Sequence, residues 1–510
     1  MDDQSEAIAF LASGAGLDPH RPIRIDTHAS IVFLIGEAAY KLKRAVRYPY
    51  LDYSTLERRE DACRAEYEIN SRITPQLYIS LHAIRRRDDG TIAFDCYGET
   101  LDWVVEMRRF DGEKLFDRLA ETGGLTAPLM RELADIIAAF HKNAAVSTEK
   151  GGSAGIARVI DENTDALRHF DAIFAPDAVG RLDQQQHAAL ALVSSRLDRR
   201  RRHGRVRACH GDLHLGNICL FDGKPALFDA IEFEPDFSTI DVLYELAFLV
   251  MDLLHRRLGN FANLVMNRYL DRTGDDDGLP ALPLFLSARA AIRAHVSAAA
   301  VATQEDADAR ARKEEAARSN FALALALMEP GQKRLVAVGG RSGSGKSTLA
   351  RAIASEFTPA PGARVLSSDV IRKTMLDLAP ESPLPASAYS HAMSRQVYAT
   401  MQRAAASVLN DGYSVILDAT FLDATERAAA AQVASNAGVP FTGIWVEARA
   451  EVMSARIAGR FGDASDATVA VLEQQLRGDP GAIDWRRIDS SGSLGRVANM
   501  LKRAVFGVSR

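Results

Sequence analysis

The chain has 510 residues, too many for one hydrophobic core at roughly 150 residues per domain, and 47% apolar with 25% charged content marks it as globular rather than disordered or fibrous. A net charge of −5 offers no global field for nucleic acid or an anionic membrane, and no run approaches ~18 apolar residues. Cys63, Cys96, Cys209 and Cys219 lack metal-site spacing and the acidic start Met1-Asp2-Asp3 lacks a signal peptide's basic region, so free thiols in a cytoplasmic protein are expected.

Along the chain, residues 24–48 read as two β-segments, 31–35 and 39–46, on either side of Gly36-Glu37. Residues 55–73 read as a helix, charged on one face and carrying Ala62, Ala65, Ile69 and Ile73 on another. Strands return over 80–109, and 112–200 is helical, punctuated by Pro128, Gly151-Gly152 and Pro176. The basic run 199–202, with Arg205 and Arg207, is expected to be a solvated helix end rather than an anion or RNA contact. Short strands occupy 206–235, and helices fill 238–329. At Glu329-Pro330-Gly331-Gln332-Lys333 the helical pattern stops. Beyond it, apolar strands at 335–339, 364–367, 414–418 and 441–446 alternate with helices, which favours a parallel sheet with crossover helices.

The first chemical motif is His210-Gly211-Asp212-Leu213-His214-Leu215-Gly216-Asn217. Its D-x-x-x-x-N spacing suits a phosphoryl-transfer loop: Asp212 takes the proton of an acceptor hydroxyl, and Asn217 holds Mg²⁺. Asp229, at the end of the apolar 226–228 segment, stands where a second metal-binding aspartate belongs. Lys41 and Lys43 share one strand face, so either can reach ATP phosphates; Lys41 is preferred and Lys43 left open. Glu66, ahead of Glu60 and Glu68, is the expected partner of that lysine. Residues 104–107, ending at Met107, are the expected hinge that reads adenine through backbone groups. His210 is expected to brace the loop, and His214 to structure it rather than bind metal.

These residues resemble the aminoglycoside phosphotransferase family of kinase-like folds, which includes choline- and fructosamine-kinase-like enzymes, over roughly 25–325. The resemblance implies a bilobal kinase-like fold, ATP as donor, and a structural role for Asp241. The segment Thr27-His28-Ala29-Ser30, which should cover the phosphates, departs from the pattern in having no glycine. An aminoglycoside acceptor would need an acidic cleft. Asp161, Glu162, Asp252 and the run 275–277 are available, but the run is expected to be a solvated loop.

The second motif, Gly340-Arg341-Ser342-Gly343-Ser344-Gly345-Lys346-Ser347, satisfies G-x-x-x-x-G-K-[ST] between a predicted strand and a predicted helix. Gly343 and Gly345 let successive backbone N–H groups turn toward phosphates, and Gly340, Ser342, Ser344 and Thr348 are further candidate nucleotide-binding residues. Lys346 reaches the β/γ-phosphates, and Ser347 ligates Mg²⁺. Asp418, ending the 415–418 strand, suits a second carboxylate on the metal, with Thr420 and Arg427 beyond it. Arg456 and Arg460, at i and i+4 on a helix, could close over the phosphates as a lid. The segment 334–505 resembles the P-loop small-molecule kinases, including gluconate-kinase-like enzymes and the 5′-kinase domain of polynucleotide kinase. That resemblance implies Asp369 as the base or orienter of the acceptor hydroxyl and Arg372 as a substrate or phosphate clamp; Thr420 is a further candidate substrate contact.

The sequence thus predicts an α+β bilobal kinase-like domain at 1–328 (N-lobe about 1–108, C-lobe about 109–328) and a linker at 329–333. An α/β doubly wound P-loop domain follows at 334–510. The expected activity is ATP- and Mg²⁺-dependent phosphoryl transfer at two sites, to hydroxyls of small molecules such as sugars or polyols. One alternative is a single N-terminal kinase regulated by a C-terminal nucleotide-binding ATPase. Another is a nucleic-acid 5′-hydroxyl kinase, disfavoured because aromatics are sparse and no basic stripe accompanies them.

Overall fold

A computed structural model describes residues 2–17, 21–48, 51–302, 304, 306–459 and 465–507 of the chain. Both faces of its first sheet are covered, which is why the strands carry apolar residues at odd and even positions alike. A short helix, α1 (Ser5–Ala12), covers one face. Strands β1 (Ile23–Asp26), β2 (Ser30–Ile35) and β3 (Ala38–Lys43) lead to a small hairpin, β4 (Arg47–Tyr48) and β5 (Leu51–Asp52), and then to helix α2 (Leu56–Ile73). Strands β6 (Tyr78–Arg86), β7 (Ile92–Phe94) and β8 (Glu99–Arg108) complete an antiparallel sheet of order β1-β2-β3-β8-β6-β7. Leu11 packs with Phe33, Leu42, Ile84 and Val104 on one face, whereas Ala39, Val105 and Met107 meet Cys63 of α2 on the other. The strand expected over 39–46 stops at Lys43, where the chain turns into the β4-β5 hairpin. Helix α2 is capped by the Thr55 hydroxyl, which accepts from the Arg58 N–H, and it buries Ala62, Cys63, Glu66 and Asn70 along one face.

By compactness the chain divides into two units, Met1–Arg158 with Ser194–Asp252, and Val159–Val193 with Leu253–Arg510. The first continues through α3 (Phe116–Thr122), α4 (Ala127–Asn143), part of α5 (Gly152–Arg168) and the end of α6 (Pro176–Arg202). Next come β9 (Val206–Ala208), the hairpin β10 (Ile218–Phe221) and β11 (Lys224–Leu227), the single-turn α7 (Pro235–Ser238), β12 (Thr239–Asp241) and α8 (Val242–His255). Strand β12 pairs with β9, and Arg200 grips Asp241 through two hydrogen bonds of 2.8 Å. The basic run is therefore partly interior rather than wholly solvated: Arg200 is buried, and Arg207 donates to the carbonyls of Lys142, Ala144 and Gly204.

The second unit holds α9 (Gly259–Thr273), α10 (Leu282–Val301) and α11 (Ala307–Ala326), followed by β13 (Leu335–Gly339), α12 (Lys346–Ala354), β14 (Arg364–Ser367) and α13 (Ser368–Thr374). Then come α14 (His391–Asn410), β15 (Val415–Asp418), α15 (Ala424–Asn436), β16 (Phe441–Glu447), α16 (Ala450–Ala458), α17 (Val469–Arg477), β17 (Arg486–Asp489) and α18 (Leu494–Phe506). The sheet is fully parallel, in the order β14-β15-β13-β16-β17. Val336, Val338, Ile416 and Ile444 pack against Leu349 and Ile353 of α12 and Leu501 of α18. Strand β17, absent from the sequence expectation, has one buried residue and hence no apolar run to mark it. Asp276–Val301 is the one helical stretch among the described residues long and apolar enough to cross a membrane, and more than half of its most apolar part is buried inside the protein.

The break at 329–333 does separate α11 from β13 in sequence, yet compactness groups α9 to α11 with the parallel sheet. Polar contacts join α9 to the sheet. Asn263 and Asn267 of α9 hydrogen-bond the carbonyl of Ala363, and the Val365 N–H donates to Asn267.

Candidate functional site

In the first unit, pairing of β3 with β2 and β8 places Lys41 opposite Val32 and Val105. Its ammonium reaches Glu66 of α2 at 2.7 Å and also Asp229. Two residues on, Lys43 meets Glu66 at 2.5 Å and Glu232, whose carboxylate accepts from the Tyr53 hydroxyl at 2.5 Å. Burial pushes the Glu66 carboxyl up, but Lys41 and Lys43 more than offset it and hold the group below the usual carboxylate range. Asp229 shows the same balance, with Lys41 as its main cation. Helix α2 also grips the chain around Asp229: the Thr74 hydroxyl donates to Leu227 O at 2.6 Å, and Asn70 accepts from the Ala230 N–H at 3.0 Å. The Asp229 backbone lies at φ +63°, its N–H donates to the Tyr78 hydroxyl, and its side chain is 45% exposed.

The loop between β9 and β10 carries the first motif. Glu245 of α8 accepts from the N–H groups of His210 and Gly211 at 3.0 and 3.1 Å, and the His210 ring bonds Phe228 O at 2.9 Å. Burial lowers the His210 pKa, so a neutral ring braces the loop. The Asn217 amide donates to both the side chain and the carbonyl of Asp212 at 2.9 Å. His214 Nδ1 accepts from the Gly216 N–H at 3.0 Å, and the ring's other nitrogen stands 3.4 Å from Asp212. Asp212 itself keeps a 37% exposed side chain. Ala39 and Met107, paired across β3 and β8, form an apolar cluster with Cys219, Val32 and Phe221 that suits a planar base. Where glycines are missing, at 27–30, the turn is closed by the Thr27 hydroxyl, which donates to Ser30 O and accepts from Ser30 N–H.

In the second unit, β13 runs into the glycine-rich loop and α12 leaves it. Gly340 and Gly343 lie at φ +149° and +78°, and a Cβ on them would fall 2.4 Å from Val446 O and 2.5 Å from Met453 O. Only glycine lets the loop close this tightly. Lys346 opens α12, followed by Ser347 and Thr348. Asp418 ends the neighbouring strand β15, buried and next to Ser347. Burial raises the Asp418 pKa, against the pull of Lys346 and the Ser347 hydroxyl. Asp418 Oδ1 and Ser344 Oγ are buried without a hydrogen-bond partner. Buried orphan oxygens are costly, and a metal-bound nucleotide would satisfy them, so these residues fit that group.

Against families of known proteins, residues 55–285 match the phosphotransferase enzyme family and residues 335–478 match an AAA domain. Uncharacterized proteins of Mycobacterium tuberculosis and Mycobacterium bovis are 31% identical over 500 residues, 94% of this chain and 95% of theirs. The chain belongs to the family that fuses a phosphotransferase domain to a P-loop kinase domain. It is a phosphotransferase, and its kinase domains imply use of ATP. Among solved structures, a choline/ethanolamine kinase family protein from Mesorhizobium loti aligns at 16% identity over 64% of this chain and 94% of its own, with TM-score 0.39. A gluconokinase from Sinorhizobium meliloti aligns at 21% identity over 34% of this chain and 90% of its own, with TM-score 0.24.

Within this fused kinase, several predicted residues sit differently from expectation. Asp369 lies in the first turn of α13, two residues after β14 ends at Ser367. Arg372 is buried, donates to Ala388 O at 2.8 Å and stacks on Tyr389, which leaves its Nε without a partner. Thr420 is 3.3 Å from the Tyr398 hydroxyl. Arg456 is no free lid. Its guanidinium is tied to Ser344 O at 3.2 Å and to Ser490 O at 2.7 Å, so it braces the loop from behind. Arg460 lies outside the described residues. Arg427 is taken up by four carbonyls, those of Phe421, Leu422, Pro480 and Ala482. Sequence reasoning missed Glu232 and Tyr53, because nothing local marks contacts 179 and 189 residues apart along the chain. Glu245 could have been noticed as one of two carboxylates, with Asp252, in a largely apolar helix.

Proposed function

We propose that both sites are ATP- and Mg²⁺-dependent kinases, one in 1–328 and one in 334–510, acting on hydroxyls of small molecules of the sugar or polyol type. The observation that carries this reading is the recurrence of one chemical set: a lysine for phosphates, a metal-holding carboxylate, and a second carboxylate for an acceptor. Lys41, Asp229 and Asp212 form it in the first unit; Lys346, Asp418 and Asp369 form it in the second. In the first site Asp212 takes the acceptor's proton as its oxygen bonds the γ-phosphorus and ADP departs. Asn217 orients Asp212 through its amide and, with Asp229, would hold the metal. Bound there, Mg²⁺ would neutralise phosphate charge as it shifts to the leaving ADP. In the second site Ser347 and Asp418 would hold the metal, Asp369 would receive the proton, and Arg372 and Thr420 would contact the acceptor.

Several of the acidic residues that could welcome a polycationic acceptor already have partners within the fold, which favours a neutral polyhydroxyl compound. Asp161 lies 3.2 Å from His187, Asp252 accepts from the Leu215 N–H at 3.0 Å, and Asp276 accepts from Arg364 at 2.7 Å. Four free cysteines fit a reducing cytoplasm. The test is ADP release against sugars, polyols, aminoglycosides and 5′-hydroxyl oligonucleotides, with wild type beside Asp212→Asn and Lys346→Ala. Asp212→Asn should lower turnover of the first site's acceptor by about 10²–10⁴-fold. Lys346→Ala should abolish turnover of the second site's acceptor. If no acceptor raises ADP release above the background rate, and that rate falls in Lys346→Ala, the P-loop unit is a regulatory ATPase instead.

A further inference from the structure

Kinase-like sites need one lysine–glutamate pair; here Glu66 is held by two lysines, and the second has its own carboxylate. Lys43 and Glu66 are buried to 2% and 0% exposure, and the Glu232 side chain to 5%. Such a network is not a surface decoration. Two ammoniums face the carboxylates of Glu66, Asp229 and Glu232, and every link is direct. The chain around Lys43 is pinned as well: Gln4 donates to Lys43 O at 2.7 Å and accepts from the Ala45 N–H at 2.6 Å. Tyr53, from the segment joining β5 to α2, closes the far side by donating to Glu232 and lying under the Lys43 ammonium, 5.2 Å from the ring centroid.

The two lysines differ in what they can do. Lys41 touches Asp229, whose half-exposed carboxylate is available to a metal, so Lys41 can exchange that contact for phosphate oxygens. Lys43 touches no exposed group. Its partners are both interior, and Glu232 lies three residues beyond Asp229 on a segment that α2 already grips. When Lys41 moves toward phosphates, Glu66 would otherwise be a buried carboxylate with a weakened partner, which is strongly unfavourable.

We infer that Lys43 and Glu232 are positioning residues of the first site, holding Glu66 so that Lys41 can serve the nucleotide. The inference rests on the reading of this site as a nucleotide site. Neither residue touches the nucleotide. The pair fixes α2 against the 229–232 segment, so the lysine, the metal carboxylate and the catalytic loop are assembled before ATP arrives.

The test uses the full chain with Lys346→Ala to silence the second site. A fluorescent ATP analogue with Mg²⁺ reports affinity, and acceptor-free ATP hydrolysis reports turnover. Lys41→Met should weaken nucleotide binding by more than about tenfold. Lys43→Met and Glu232→Gln should leave affinity within about threefold but lower kcat by about tenfold to a hundredfold, as expected for misplacement rather than lost contact. The double variant Lys43→Met/Glu232→Gln should be no worse than the more damaged single one, and Lys43→Arg should recover much of the turnover. Affinity lost in Lys43→Met as in Lys41→Met would overturn the inference, because Lys43 would then be a phosphate ligand. Multiplying losses in the double variant would overturn it too. Should Lys43→Met not fold, near-isosteric Glu232→Gln decides alone: an unchanged kcat sinks the proposal. If Lys41→Met and Asp229→Asn both leave Mg²⁺-dependent binding untouched, the nucleotide reading itself is wrong.

Discussion

Gly343 shows how one backbone angle decides whether a phosphate site can exist. Its φ of +78° is unfavourable for any residue with a side chain, and a Cβ there would lie 2.5 Å from Met453 O, an atom fixed in α16. Gly412 has a comparable φ of +94°, but a Cβ on it meets nothing within 4 Å. The pair therefore separates backbone strain from collision. Both Gly343→Ala and Gly412→Ala should lose about 1–2 kcal/mol of stability through the left-handed conformation. Gly343→Ala alone must also push the loop away from α16, and Mg²⁺-ATP binding should disappear with it. Titration calorimetry alongside urea unfolding checks this. Retained nucleotide affinity in Gly343→Ala would mean that the loop tolerates another course.

At the scale of elements, the edge of the parallel sheet is the instructive case. Strand β14 has a neighbour on one side only, and exposed edge groups invite pairing with other chains. Asn267 of α9 answers this as a strand would: its Oδ1 accepts from Val365 N–H at 2.7 Å, and its Nδ2 donates to Ala363 O at 3.1 Å. Between those two residues, buried Arg364 reaches Asp271 and Asp276, both at 2.7 Å. Burial raises the Asp271 pKa even with Arg364 beside it, so removing the arginine would strand a costly group. Arg364→Leu should destabilise the second unit by about 3–5 kcal/mol. Asn267→Leu should cost about 1–3 kcal/mol. Urea unfolding followed on Trp445 and Trp485, with Trp103 changed to Phe, reads this unit. A loss below about 1 kcal/mol in Arg364→Leu would show that water or rearranged side chains replace the seam.

For the molecule as a whole, what was legible in the sequence is what the chain encodes locally. The spacing of Asp212, Asn217 and Asp229 and the run Gly340 to Ser347 are short, and a strand and a turn suffice to bring their groups together. The alternation of strands and helices after β13 could be read for the same reason. The Arg364 seam could not, since it joins residues 88 to 97 apart, and neither could the grouping of α9 with the sheet. Helical spacing placed Arg456 on a face but could not say that carbonyls of the glycine-rich loop and Ser490 would claim it.

Acid sensitivity is another whole-molecule property that no motif announces, and it should affect both units. His141 in the first unit is buried, and burial, with Arg207 and His210 nearby, pushes its pKa down to about 3. In the second unit burial takes His295 to about 4, although its ring is less completely enclosed. An unfolded histidine titrates near 6.5, so below that pH the unfolded chain binds a proton that the fold refuses. Stability is then full above about pH 6.5 and falls as pH drops toward the folded value, by about 1.4 kcal/mol per pH unit for a fully buried ring. Other groups pull the opposite way: His82, which Asp95 and Glu106 raise against the effect of burial, gains stability on acidification. The histidine contribution must therefore be taken as a difference between chains. Relative to His141→Gln, wild type should lose about 2 kcal/mol between pH 6.5 and 5, read on Trp103 with the other tryptophans changed to Phe. Relative to His295→Gln, the loss should have the same sign and be smaller, because a partly exposed ring is less penalised by its charge. A difference that does not change with pH for His141 would mean that its ring is protonated inside the fold.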